Sequence, residues 1–237
     1  MDDNARSLES PSKRSSAVWC DAVLRLPLLD GYTEFTHAAG PLTVPARAPV
    51  LTLTNTVVFP FSPARVAVVG QRHHRLLAAI GREAYPAVFA VARVRPEEEA
   101  PRGTDDLFEV GVVARIRAIR DDSDGEFSVL LEAGPRARVL RLPVQDPHLL
   151  AELEPLPDDR VDAPEVIEQL REAARAVLTE EFQDATWALD YVSGRNDAAT
   201  LAGIAVGGLG LSVKEAHQLL EASPAERVRR VAKLIPF

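Results

Sequence analysis

The stretch that decides the fold is residues 112–133, VVARIRAIRDDSDGEFSVLLEA. Before its turn, apolar residues at even positions from Val112 to Ala118 alternate with a set that includes Arg115 and Arg117. After the turn, apolar residues occupy the odd positions from Phe127 to Ala133. The Asp124-Gly125 pair between the two runs suits a tight hairpin turn. The stretch therefore predicts a β-hairpin with one apolar face and one mostly charged face.

The flanking residues extend this hairpin into a sheet. The runs Val66–Val69 and Ala87–Val94 are almost entirely apolar, which is typical of central strands covered on both faces. Between them, Gln71–Glu83 carries Leu76, Leu77 and Ile80 at helical spacing. The order of strands, helix, strand and hairpin with a return strand predicts a small β barrel with a helix packed on one side.

After Pro164 the apolar residues recur every three or four positions, as on amphipathic helices. Asp162, Pro164 and Glu165 resemble a helix N-terminus and predict one long helix, or two with a break, up to Val192. Two capping boxes, at Ser212–Glu215 and Ser223–Glu226, predict helices over 213–222 and 224–234. The fold class is therefore α+β, with a helical bundle in the C-terminal part.

The composition of the chain excludes or disfavours several classes of function. The chain has 237 residues, and 35 acidic against 27 basic residues give a net charge of −8, which disfavours binding to nucleic acid or anionic lipid. Its single cysteine, Cys20, excludes an intramolecular disulfide and a cysteine-based zinc site. We find neither an apolar run long enough to span a bilayer nor the apolar core of a signal peptide, and we expect a cytoplasmic protein without membrane contact.

Motifs for catalysis are missing from the sequence. Gly207–Ser212 is rich in glycine but lacks the lysine of a phosphate-binding loop. His73 and His74 are adjacent and would point about 100° apart on a helix, so they cannot share a metal. Glu97–Glu99 lies between prolines and indicates a solvated loop. The sequence thus predicts a protein that is not an enzyme and has no catalytic residues, cofactor or metal.

Two aromatic features have two interpretations each. Phe59 and Phe61 flank Pro60 in a rigid turn that could present an aromatic ring to a peptide, although burial is the more common outcome. They are the candidate protein-binding residues. Trp187 and Tyr191 lie one helical turn apart, where packing between helices is favoured over a binding role.

Several motifs in sequence order resemble the N-terminal substrate-binding domain of Lon proteases. The resemblance covers about residues 47–237, and its motifs are Leu51–Pro60, Asp105–Ile116 with the later Asp124-Gly125 turn, Glu132–Leu140, Leu211–Glu221 and Glu226–Val231. Asn55-Thr56 in the first motif is similar to stand-alone bacterial proteins made of this domain. A full Lon protease continues into an ATPase module and a serine-lysine peptidase domain, whereas this chain ends at Phe237, so we expect a stand-alone form without either activity.

The resemblance implies a PUA-like β barrel followed by a helical bundle, used in Lon to engage unfolded or tagged proteins. We expect a partly disordered extension over 1–46, a β domain over 47–143 and a helical bundle over 144–237. The predicted function is non-enzymatic binding of client or partner proteins, a protease among them, as an adaptor or regulator of proteolysis. The oligomeric state is left open.

Two other functions stay open at this point. PUA-like folds include RNA binders, and five arginines could line one face of adjacent strands: Arg115, Arg117, Arg136, Arg138 and Arg141. Glu126 and Glu132 lie among them and, with the acidic balance, count against this alternative. The third possibility is a hydrolase whose residues form no recognisable motif.

Overall fold

The computed structural model describes residues 33–34, 42–80, 87–95, 101, 103–122, 126–144, 146, 148–182 and 185–236. Most of the predicted disordered extension over 1–46 lies outside these residues, as do the Asp124-Gly125 turn and Glu97–Glu99. Seven strands form one mixed sheet: β1 (Thr33–Glu34), β2 (Arg47–Leu53), β3 (Pro63–Val69), β4 (Val88–Ala92), β5 (Val110–Asp122), β6 (Glu126–Val144) and β7 (Leu150–Pro155).

The sheet closes on itself. Its strand order is β1-β5-β4-β2-β7-β6-β3, and an additional pairing of β5 with β6 completes a ring of β5, β4, β2, β7 and β6. Among the strands that the structure describes, only β2 and β4 pair in parallel, and the other pairings are antiparallel. The α+β class is confirmed.

The predicted hairpin is confirmed as β5 and β6. Their ladder begins beside the turn, where Asp122 pairs with Glu126, and continues to Val110 opposite Arg138. Register shifts lie between Val112 and Ala114 and between Ile116 and Ala118. Such irregularities bend a strand and strengthen its twist, which helps the sheet to close.

The two runs predicted as central strands differ in the structure. Every residue of β4 is buried, with Val88 and Ala90 in one apolar cluster and Phe89 and Val91 in another, so this strand is covered on both faces as predicted. The prediction was wrong for Val66–Val69, because β3 is the last strand of the sheet and its residues alternate between buried and exposed. An apolar run alone does not show where a strand lies in a sheet.

In the described part of the chain, six α-helices accompany the sheet: α1 (Gln71–Ile80), α2 (Ile167–Glu181), α3 (Ala185–Ser193), α4 (Ala198–Ala205), α5 (Val213–Glu221) and α6 (Pro224–Leu234). The predicted α1 buries Leu76, Leu77 and Ile80. The predicted long helix has a break between α2 and α3. Ser212 and Glu215 form the complete capping box of α5, and the Ser223 side chain accepts the Glu226 N–H at the start of α6.

The predicted N-terminus of the long helix was wrong. Helix α2 begins at Ile167 with Val166 at its N-cap position, so Asp162 lies before the helix. The residues between them form a turn, in which Val166 donates its N–H to the Ala163 carbonyl at 3.1 Å. Contacts distant in sequence hold the chain just before Asp162: Val161 donates its N–H to Asp197 Oδ1 at 2.9 Å and accepts the Ala198 N–H at 3.0 Å.

Helix α4 was absent from the predicted elements. All eight of its residues are buried, so it shows no polar face and no helical periodicity. It packs closely on the strand side of the molecule: a Cβ on Gly203 would lie 2.9 Å from Phe59 Cβ. Glycine at this position allows α4 to approach the chain segment that precedes β3.

Strands and helices share one apolar interior. A single cluster of buried side chains includes Leu53 and Val66 from strands together with Leu170 and Leu201 from helices. Strand β7, which lies within the stretch assigned to the helical bundle, pairs with both β2 and β6. The C-terminal part of the chain therefore supplies a strand of the ring as well as helices that pack on it.

Helix α5 is attached to β5 through His217. The His217 ring donates from Nε2 to the Val110 carbonyl at 2.9 Å and stacks on Phe108 with ring centroids 4.0 Å apart. Burial lowers the pKa of His217, although the Val110 carbonyl and the carboxylates of Glu221 and Glu109 act in the opposite direction. The folded protein therefore holds a neutral imidazole.

We expect stability to fall between pH 7.5 and pH 5.5, in part through His217. Below the ordinary histidine pKa of about 6.5, His217 takes up a proton in the unfolded chain but not in the folded chain. The free energy of unfolding therefore falls by at most about 1.4 kcal/mol for each pH unit and each such proton. Urea unfolding at several pH values, for the protein and for His217→Gln, measures this pH dependence. The glutamine keeps an N–H donor for the Val110 carbonyl. The variant should depend less on pH, and identical pH dependence would contradict this role of His217.

Candidate protein-binding cleft

Phe59, the first predicted binding residue, lies in the interior. It is 4% exposed, and the guanidinium of Arg227 lies 5.7 Å from its ring centroid. Its carbonyl accepts the Ser62 hydroxyl at 2.6 Å, which holds the turn together. Burial leaves Phe59 without the exposed surface that contact with a peptide requires.

Phe61, the second predicted residue, is held in an unusual conformation. Its φ is 55°, and it is the one non-glycine residue with positive φ in the described part of the chain. Its carbonyl accepts the Tyr191 hydroxyl, and burial raises the pKa of Tyr191 to about 12, so this hydroxyl keeps its proton. The Phe61 side chain is half-buried. Backbone strain of this kind is often found at functional sites.

A small cleft opens beside Phe61. Its empty space is about 190 Å³ including the mouth. Most of this space is open to solvent, and the enclosed part has room for about one water molecule. The cleft is lined by Pro60, Phe61, Asp158, Asp159, Asp197, Ala199, Thr200, Pro224 and Arg227. It therefore lies where the turn before β3 meets the N-termini of α4 and α6, and Phe61 is the predicted residue that lines it.

The acidic wall of the cleft is fixed by α4. Asp197 is 3% exposed and caps this helix, accepting the Thr200 N–H at 3.1 Å and the Thr200 hydroxyl at 2.7 Å through Oδ2. Its Oδ1 accepts the Val161 N–H. All these bonds keep the carboxylate in place, so Asp197 is part of the framework of the cleft.

Arg227 forms the basic part of the cleft. Its side chain is 1% exposed, and Nη2 lies 3.7 Å from Asp158 Oδ1. Nε and Nη2 of Arg227 make no hydrogen bond to the described residues. Burial, with the nearby charge of Arg136, lowers the pKa of Arg227 to about 10, so it stays charged at neutral pH. The base of the cleft thus holds a buried cation beside the Asp158 carboxylate.

Arg136 joins the hairpin to the helices beneath the cleft. Its Nε donates to Asp158 Oδ1 at 2.6 Å, and its Nη1 donates to the carbonyls of Leu220 and Ala222 at 2.7 and 2.8 Å. Both charged side chains are almost fully buried. Arg136 therefore donates hydrogen bonds to carbonyls at the C-terminal end of α5. The sequence had placed this residue on a candidate RNA-binding face, but in the structure its role is structural.

The other arginines of that candidate face are also paired with carboxylates. Arg115 and Arg117 pair with Glu132, Arg138 with Glu109 and Glu154, and Arg141 with Glu152. The Arg115 side chain is only 8% exposed, and that of Arg136 only 4%. A face that binds phosphates needs free cations, so this arrangement disfavours RNA binding.

The remaining candidate residues have packing contacts. His73 lies between Thr52 Oγ1 and the Val69 carbonyl, at 3.0 and 2.7 Å, and the His74 ring meets Phe127 edge-on at 4.6 Å. The described residues contain no group of three or more histidine, cysteine or acidic side chains placed to hold a metal. None of the described helices is both long and apolar enough to cross a bilayer. The side chain of Trp187 lies outside the described residues.

Residues 47–236 match the family described as the ATP-dependent protease La (LON) substrate-binding domain. The chain belongs to this family. Among similar proteins, the Lon protease of Anaeromyxobacter dehalogenans is 29% identical over 182 residues, 75% of this chain and 21% of that protein. Lon protease 1 of Thermus thermophilus is 30% identical over 194 residues, 79% of this chain and 24% of that protein. The LON domain thus spans between a fifth and a quarter of the length of these relatives.

Two solved structures share the fold of this LON domain. The N-terminal domain of Mycobacterium avium complex Lon protease superposes with a TM-score of 0.58 at 22% identity, covering 80% of this chain and 97% of that one. The Lon N-terminal domain protein from Xanthomonas campestris gives 0.55 at 21% identity, with 80% and 99% covered. The resemblance inferred from the sequence motifs is confirmed.

Sequence reasoning missed the four charged residues of the cleft, Asp158, Asp159, Asp197 and Arg227. For Asp197 a signal exists: an aspartate directly before the apolar run Ala198–Ala205, with Thr200 three residues on, is typical of a helix N-cap. Arg227 resembles its exposed helix neighbours Arg229 and Arg230 in the sequence, and only the packing of α6 separates it from them.

Proposed function

We propose that this LON domain is a non-enzymatic module that binds unfolded segments of client proteins, as an adaptor or regulator of proteolysis. The observation that carries the proposal is Phe61, held half-buried at a φ of 55° on the wall of an open cleft. Membership of a substrate-binding family supports the same class of function. The candidate partners are client proteins and a protease.

We propose that the mouth of the cleft contacts one client side chain at a time. Pro60 and Phe61 offer an apolar wall, and the buried Arg227 guanidinium places a positive charge beside Asp158 at the base. A binding site of this size contributes modest affinity, because the client loses conformational freedom when it is held. Unfolded proteins present many such residues, and weak binding to a common feature fits a module that accepts different clients.

Two finer predictions belong to this proposal. We propose that the closed ring of five strands is a PUA-like barrel, because ring closure beside a packed helix is what that fold requires. The cytoplasmic location stays a prediction from the sequence. RNA binding, the alternative function, is the weaker candidate because the five arginines considered for it are paired within the protein.

The experiment measures binding of fluorescein-labelled casein, used as an unfolded client, by fluorescence anisotropy. Phe61→Asn should weaken binding about tenfold, in the range typical of an aromatic at the centre of an interface. Asparagine tolerates positive φ, so we expect the free energy of unfolding to change by only about 1 kcal/mol.

Leu140→Ala is the matched control, because this exposed apolar side chain lies outside the cleft. It should bind casein as the unchanged protein does. A protein that shows no anisotropy change with casein up to its solubility limit would refute the proposed function. Equal weakening by both variants would refute the role of Phe61 and the cleft.

A further inference from the structure

Within the described residues, strand β3 has one edge without a partner strand. It pairs with β6 on one side and ends the strand order on the other. Alternate residues of an antiparallel strand direct both N–H and C=O to the same side. The Arg65 N–H points away from β6, because it donates to Glu181 Oε1 at 2.7 Å. Ala67 and Val69, two and four residues on, must therefore face the same free edge.

Side chains occupy both ends of this edge. The Glu181 carboxylate accepts the Arg65 N–H, and the His73 ring donates from Nδ1 to the Val69 carbonyl at 2.7 Å. Between them, the N–H and C=O of Ala67 make no hydrogen bond to the described residues. Glu181 supplies an oxygen acceptor at one end of the edge, and His73 supplies an N–H donor at the other. A neighbouring strand would supply the same two kinds of group.

The second half of the strand has exposed residues. Ala67 is exposed, and Val69 is 55% exposed, one of the most exposed large apolar residues of the described chain. Proteins generally protect such edges by a charge, a proline or a covering element, since a free edge is a template for another strand. Here the protection at the two ends consists of the Glu181 and His73 side chains.

We propose that the edge of β3 binds an extended segment of a client protein by strand addition. A client carbonyl replaces Glu181 at the Arg65 N–H, a client N–H replaces His73 at the Val69 carbonyl, and the client main chain pairs with Ala67 between them. The occupant is main chain in extended form, which unfolded proteins offer whatever their sequence. This inference rests on the proposed function and adds to it a second site, which takes backbone while the cleft takes one residue.

Other features of the edge agree with this occupant. Burial raises the pKa of Glu181, so returning its carboxylate to water offsets part of the cost of displacing it. Val69 can cover an apolar side chain of the client on the exposed face of the sheet. A nucleic acid has no peptide N–H and C=O groups with which to pair with Ala67.

The first test is amide hydrogen exchange of the full chain with and without saturating casein, resolved to single residues. Casein should slow exchange at Ala67 at least about tenfold. The Val66 and Val68 amides, which already belong to the ladder with β6, should change little. Unchanged exchange at Ala67 under saturating casein would overturn the inference while leaving the proposed function intact.

The second test is a pair of substitutions at one position. Ala67→Pro removes the outward N–H and spares the ladder with β6, where prolines on edge strands are tolerated. Ala67→Thr changes the side chain but keeps the donor and favours a strand. Casein affinity should fall about tenfold with proline and less than twofold with threonine, and equal affinities would overturn the inference.

Two further outcomes are decisive. If Ala67→Pro fails to fold by circular dichroism, the exchange measurement decides alone. If β3 instead pairs with β3 of a second copy, light scattering will show a dimer for the unchanged protein and a monomer for Ala67→Pro, and both will bind casein with the same affinity. That result would overturn strand addition by a client. Absence of casein binding in every variant would refute the proposed function itself.

Discussion

Replacing Arg136 by methionine is expected to lower the free energy of unfolding by about 3–5 kcal/mol, the usual cost of leaving one partner of a buried ion pair alone. Asp158 would remain buried without the guanidinium that donates to it at 2.6 Å. The carbonyls of Leu220 and Ala222 would lose their shared donor at the same time. Chemical denaturation followed by circular dichroism measures the difference.

Arg138→Met is the matched control, because Arg138 lies on the same strand but its side chain is 45% exposed and its ion pairs are 3.5 and 3.8 Å long. Exposed pairs of this kind contribute little, so the control should lose less than about 1 kcal/mol. Arg136→Lys should fall between the two, because a single ammonium cannot reach both Asp158 and the helix carbonyls. Equal losses for Arg136→Met and Arg138→Met would show that Arg136 does not hold the helices to the hairpin.

Gly111→Ala should be the second most damaging substitution, with a loss of about 3 kcal/mol or more. A Cβ at this position would lie 2.4 Å from the Ala90 carbonyl oxygen and 2.8 Å from Phe89 Cζ. The oxygen belongs to the backbone of β4, so relief requires β4 and β5 to move apart. The midpoint of thermal or urea unfolding should fall accordingly.

Gly103→Ala provides the comparison for that loss. Its φ is −162°, ordinary extended backbone, and a Cβ there would meet nothing within 4 Å. It should change the free energy of unfolding by less than about 0.5 kcal/mol. A similar small change in Gly111→Ala would mean that the two strands are more loosely packed than the structure shows.

Local signals predicted the elements that local interactions control. The β5–β6 hairpin and the starts of α5 and α6 depend on turn and cap residues that are close in sequence. Contacts between distant residues were not predictable in this way: the Val161 N–H is bonded to Asp197, which follows it by 36 residues. The place of β3 at the edge of the sheet likewise depends on which strands pair, and its composition does not reveal this.

Only part of the candidate site was predictable from the sequence. Phe61 stood out because two aromatics around a proline form a rigid turn, and the structure places it on the wall of the cleft. Phe59 has the same neighbours in sequence but lies in the interior. The charges at the base of the cleft come from three segments far apart in the chain, and no spacing rule connects Asp158 with Arg227.

The apolar interior that strands and helices share limits how this protein can be taken apart. A cut between β7 and α2 would give two fragments, and each would expose its half of the shared hydrophobic surface. The fragments would therefore aggregate or bind to each other. Grafting the client-binding surfaces onto another scaffold would for this reason mean transplanting residues 47–236 as a single piece.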